Sequence, residues 1–229
     1  MSLSNPKKSN PCSKFIEWKG SKGQFYYYNK ETQENVFFKK DIYIVVLDEL
    51  STVRGWHDAS ESGIYSNEVK YISKEELTVK SFKGGLFAKG IYSEIKGNLQ
   101  GGKYAKSVYV ALLTPKDKSF TIELANIQLY GSAIGAWINA KIKSDDGRVI
   151  VLSPSTVEKK KGRTVYFEPE IKKSAVRKDI IAECIELDKE LQKYLKHYFS
   201  KEIETSEISK DEDIIKDDLN LAEVDDLPF

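Results

Sequence analysis

Residues 202–229 hold eleven Asp and Glu against two Lys, a net charge of −9, and this stretch limits how much of the chain can fold. Its few apolar residues, among them Ile203, Ile214, Leu219 and Val224, bury too little surface to offset the entropy of ordering. Residues 201–229 are therefore expected to be a disordered acidic tail. With the whole 229-residue chain at +1, the preceding 201 residues carry +10. That body is long enough for one core, burying about 70% of its unfolded surface without disulfides. Cys12 and Cys184 form no CxxC pair, so reduced thiols are expected. The longest apolar run, Ile42 to Leu47, is far too short to span a membrane, and the first residues lack the apolar stretch of a signal peptide. A cytoplasmic protein is the expectation.

Residues 1–14 are polar and Lys-bearing and are expected to be a flexible arm. Phe15 to Trp18 and Gln24 to Tyr28, joined by a glycine-bearing turn, read as a β-hairpin. Alternation places Phe25 and Tyr27 on one face and Tyr26 and Tyr28 on the other, where they either stack on bases or pack as ordinary strand residues. Ile42 to Leu50 reads as a core strand covered on both faces. A polar connection over 52–63 holds Trp56 beside Arg54; the indole is either a stacking platform or a lid over the core. In Leu77 to Phe82 a strand sets Thr78, Lys80 and Phe82 on one face, an aromatic ring beside a charge for phosphate.

Lys83, a further candidate nucleic-acid contact, and Gly84-Gly85 then open a segment in which Phe87, Ile91, Ile95 and Leu99 recur every four residues, predicting a helix. Lys103 to Leu113 reads as a strand whose first end, with Lys103, Tyr104 and Lys106, is a second candidate nucleic-acid contact. Ile127, Tyr130, Ile134, Trp137 and Lys141 predict an amphipathic helix between 120 and 142. Two strands follow, Arg148 to Glu158 and Thr164 to Ile171, joined by a basic tip of Lys159, Lys160, Lys161 and Arg163 that is either a phosphate clamp or a solvated turn. Ile180, Cys184, Leu187, Leu191 and Leu195 describe a C-terminal helix over 175–199.

The chain closes on Asp225, Asp226, Leu227, Pro228 and Phe229: an apolar ring, a fixed carboxylate and local negative charge that a basic-rimmed pocket can grip. A basic body followed by an acidic tail with this ending resembles bacterial and phage single-stranded-DNA-binding proteins. The longer body looks more like a phage or mobile-element version. The resemblance implies a mainly β fold with helices, a β-barrel of the OB type with one internal helix, over residues 15–200. It also implies binding of single-stranded DNA without sequence preference in replication, recombination and repair. The tail peptide would recruit replication, recombination or repair proteins, and the body could form a homo-oligomer. The 32 Lys against 4 Arg suit sequence-tolerant phosphate contact, although an AT-rich genome would favour Lys codons equally. The alternatives are a protein-interaction adaptor or an RNA-binding OB protein.

No enzyme is expected, and no cofactor or metal. His57 and His197 are the only histidines, and HExxH, Walker and GxSxG motifs are absent from the sequence.

Overall fold

The computed structural model describes residues 10–117, 119–142, 147–175 and 177–200. Strands β1 (Lys14–Lys19), β2 (Gln24–Asn29) and β3 (Glu34–Phe37) form an antiparallel meander. The long β4 (Ile42–His57) leads through a 3-10 turn at Asp58–Ser60 to β5 (Ser62–Ser66), β6 (Leu77–Ser81) and β7 (Leu86–Gly90). A single turn α1 (Tyr92–Ile95) precedes β8 (Gly102–Lys116), β9 (Ser119–Leu129) and α2 (Ser132–Asn139). The chain continues through β10 (Val149–Ser153), β11 (Glu158–Lys161), β12 (Thr164–Phe167) and β13 (Glu170–Lys173), then α3 (Lys178–Ser200). The described residues are mainly β with three helices.

Eleven strands form one mixed sheet in the order β3-β2-β1-β9-β8-β4-β5-β6-β7, with β10 also beside β4 and β13 beside β10. The β1–β9 pair is parallel and the others are antiparallel. The strand pairs do not close into a barrel. β4 has room for two neighbours on one edge because it is sixteen residues long: Ile42–Val45 pair with β10, and Arg54–His57 pair with β5.

The apolar run at the start of β4 is explained by burial on both sides. Ile42, Ile44 and Val46 point into the main core with Ile16, Phe25, Val110, Ile127 and Leu152, and α2 fills that core with Ala133, Ile134 and Trp137. Val45 faces the opposite way, where α3 packs with Ile180 and Cys184. Further along the same outer face, Leu191 and Leu195 of α3 cover Leu50, Tyr109 and Leu124.

Four local expectations are corrected. Residues 119–129 are a strand, and only Ser132–Asn139 is helical. The spacing of four bridged two elements, because alternate residues of β9 and one face of α2 enter the same core. The helix expected over 87–99 is an edge strand followed by a single turn. Gly84 and Gly85, at φ +93° and +97°, turn β6 into β7, and Gly90 at φ +150° ends that strand. Trp56 lies on β4 itself, paired with Gly63, and not in a loop. Residues 10–13 are also no loose arm: the Ser13 N–H donates to the Leu124 carbonyl (2.8 Å), and Cys12 packs beneath α3. Residues 1–9 and 201–229 lie outside the described residues.

The last turns of α3 are tied down by polar contacts. Tyr109 donates its hydroxyl to the Glu68 carboxylate (2.7 Å), and the Tyr198 hydroxyl accepts from the Glu68 N–H (2.8 Å). Burial, reinforced by the Glu68 charge, pushes the hydroxyls of Tyr109 and Tyr194 well up; burial chiefly pushes Tyr198 up to about 12 and the Cys12 thiol up to about 12. These groups are neutral when folded and ionise more readily when unfolded, so their contribution is intact below the ordinary values of 9.0 and 10.0 and is lost above them. The melting temperature is therefore expected to hold to about pH 9 and fall between about pH 9 and 12. A flat profile across that range, followed by calorimetry, would contradict this account of how α3 is held.

Candidate nucleic-acid interface

Strand register brings four residues distant in sequence into one row. Lys103 of β8 sits beside Arg54 of β4, Arg54 beside Tyr65 of β5, and Tyr65 beside Lys80 of β6. Neighbouring strands lie about 4.8 Å apart, so the row spans about 14 Å. Side chains alternate along a strand, so Trp56 and Phe82 emerge on the same face two residues further on. Phe82 stacks on Tyr65 with ring centroids 4.8 Å apart and planes 20° apart. The result is three rings, Trp56, Tyr65 and Phe82, among three cations, all half-buried. Arg54 and Lys80 make no ion pair among the described residues, so their charge is available to an anion. Lys83 borders the patch, its ammonium on the Ser60 carbonyl (2.9 Å).

The platform beneath is stiff. The intervening residues Val53, Ile64 and Val79 pack with Leu77, Ile95 and Leu99 into a small core of their own. Backbone crosses backbone at Gly55 and Gly101: a Cβ on Gly55 would lie 2.2 Å from the Gly101 carbonyl oxygen, and one on Gly101 2.1 Å from that of Trp56. His57 closes the adjoining turn. Its Nδ1 accepts from the Ser60 N–H (3.2 Å), which leaves Nε2–H to donate to the Gln100 side-chain oxygen (2.6 Å). The ring edge rests on Phe87. The backbone on both sides of Trp56 is thus fixed before any ligand arrives.

The sequence candidates divide among several places. Trp56, Lys80, Phe82, Lys83 and Lys103 come together in the patch. Tyr104 and Lys106 do not join Lys103. Tyr104 points to the opposite face of β8, packs on the main core and shares a hydrogen bond with Ser51 (3.3 Å). Lys106, on that same opposite face, is paired with Glu49. Tyr26 is 5% exposed, with its hydroxyl donated to Glu17 (2.9 Å), and presents no free ring face to a base; Tyr28 is half-buried on the same strand face. Lys159, Lys160, Lys161 and Arg163 are exposed on the separate β11–β12 hairpin, where Lys159 pairs with Glu168. The Phe167 carbonyl at the hairpin's base accepts from Trp18 Nε1 (3.1 Å) and Ser132 Oγ (2.8 Å). Asp225 to Phe229 lie outside the described residues.

The row adds Arg54 and Tyr65 to the candidates. The signal for Tyr65 is present in the sequence as alternation with Ile64, but a single apolar neighbour does not say which partner strands flank it. A groove of about 410 Å³ between α3 and β9 is lined by Glu183, Glu186 and Glu190, the wrong sign for a polyanion. Among the described residues no group of three or more His, Cys, Asp or Glu could hold a metal ion, and no helix is long and apolar enough to cross a membrane. No family model matches the chain, and neither a curated protein nor a solved structure matches it.

Proposed function

We propose that this protein binds single-stranded DNA without sequence preference, as a coating protein of replication, recombination or repair. The observation that carries the reading is the row Lys103–Arg54–Tyr65–Lys80 with Trp56 and Phe82 on the same face. Rings accept any base by stacking, worth about 1–3 kcal/mol per base, and the cations take the phosphates between. No donor–acceptor pattern in the patch favours one base.

The strand order supports an OB-type core. Taken in chain order, β4, β8, β9, α2, β10 and β13 lie as β9-β8-β4-β10-β13, with the helix between the third and fourth strands. The β5–β7 extension is then an insertion between the first two strands and the basic hairpin an insertion between the last two, the connections that OB folds use for oligonucleotides. β9 takes β1 as its parallel neighbour, which leaves the path of strand pairs open. The tail ending Asp225-Asp226-Leu227-Pro228-Phe229 fits recruitment of partner enzymes to the coated strand.

Anisotropy titrations of the full chain with oligo-dT, a mixed-sequence DNA strand, oligo-U and duplex DNA test the reading. We expect similar affinity for both single-stranded DNAs, weaker duplex binding and a log–log salt slope of about −2 to −3, from three or four phosphate contacts at −0.7 each. Tighter duplex binding or salt-insensitive affinity would overturn it. Preference for oligo-U would move the site to RNA, and no binding to any of the four would leave the adaptor reading.

A further inference from the structure

A second basic and aromatic cluster lies on the same sheet face, two to four strands away from β8, and its role rests on the single-strand binding proposed for the Arg54 patch. On β1, β2 and β3, the residues Glu17, Tyr26 and Phe37 are in register, facing away from Ile16, Trp18 and Phe25 in the main core. The Lys22 ammonium lies 4.3 Å from the Phe37 ring centroid, and the Tyr26 and Phe37 rings are 5.4 Å apart. Tyr28 emerges two residues beyond Tyr26 on that face. The turn carrying Lys22 is anchored, since the Gly23 carbonyl accepts from the Ser155 N–H (2.9 Å).

Register places the two clusters on one sheet face, with the buried Gln128 and Ser107 between them. Glu17 pairs with Gln128 of β9, and Gln128 with Ser107 of β8, which has the same strand parity as Lys103. Tyr130, two residues past Gln128, donates its hydroxyl to Glu17 (3.0 Å) and stands between the clusters. α3 covers this face over Val45, Ala111 and Leu113 and, further along, over Leu50, Tyr109 and Leu124, so it borders the path on one side.

We propose that a bound single strand continues from the Arg54 patch over Tyr130 onto the Lys22–Phe37 cluster, which forms a second subsite for one or two nucleotides. In the free protein Lys22 occupies the Phe37 ring. In the complex it moves to a phosphate, and the vacated ring takes a base. From β6 to β3 the path crosses seven strand spacings, about 34 Å, which suits a site of about 8 nucleotides.

The test compares dT5 with dT12 on the full chain, wild type and Lys22→Glu, by anisotropy at low salt. Lys22 is exposed in a turn, and near-ultraviolet circular dichroism checks that the variant folds. Wild type is expected to bind dT12 about tenfold or more tighter than dT5 after correction for the number of registers. Lys22→Glu should lose about fivefold on dT12 and less than twofold on dT5. An unchanged dT12 affinity in the variant, or equal losses on both lengths, overturns the second subsite while leaving the Arg54 patch standing. If wild type binds neither oligonucleotide, the single-strand reading itself falls and takes the subsite with it.

Discussion

Replacing Trp56 by alanine is expected to lower the affinity for oligo-dT about tenfold and to remove most of the quenching of tryptophan fluorescence by DNA. The other two tryptophans cannot supply that signal. Trp18 is 6% exposed and Trp137 2%, both in the main core, so a base can stack only on Trp56. Arg54→Glu should have an effect at least as large, because it removes a cation from the centre of the row and puts a carboxylate among the phosphates. Lys106→Ala supplies the contrast. Its ammonium faces the other side of β8 and is paired with Glu49, so affinity should change less than twofold. Titrations with the three variants, each with a melting curve, separate contact from folding. Equal affinities for the Trp56→Ala and wild-type proteins, with a lowered melting temperature, would make Trp56 structural and displace the site from this face.

Removal of residues 201–229 is expected to raise affinity for single-stranded DNA about tenfold at low salt and less than twofold at about 0.3 M, where screening shortens the reach of the tail's charges. The fold gives this expectation a location. α3 ends beside the β5–β6 connection, where Tyr198 meets Glu68 and Lys70 lies over the Phe199 ring. α3 therefore ends close to the strands that carry Tyr65 and Lys80, and residues 201–229 after it hold eleven carboxylates at a net −8. Tethering holds those carboxylates at an effective concentration of order millimolar, enough to compete with phosphates for the same cations. Deleting Phe229 alone should leave DNA binding unchanged and abolish pull-down of replication or repair proteins. Titrations across a salt series check the first expectation. An affinity independent of the tail at every salt concentration would mean that the tail only solubilises.

What the sequence determined by itself is whatever depends on local composition and period. The charge split at residue 201, the terminal peptide and the helix marked by Ile180, Cys184, Leu191 and Leu195 are of this kind, because each is written in contiguous residues. So is the doubly covered start of β4, since only burial on both faces accounts for Ile42 to Val46. The tertiary structure decided what depends on pairing. A spacing of four through Phe87, Ile91, Ile95 and Leu99 fits a helix and equally fits a strand, a turn and a 3-10 segment that close on one small core. Arg54, Tyr65, Lys80 and Lys103, far apart in the chain, became neighbours. Register across four strands depends on turn geometry and on which edge each strand finds free, here on β4 being long enough to accept both β10 and β5. Those are long-range choices among competing partners, and no window of sequence contains them.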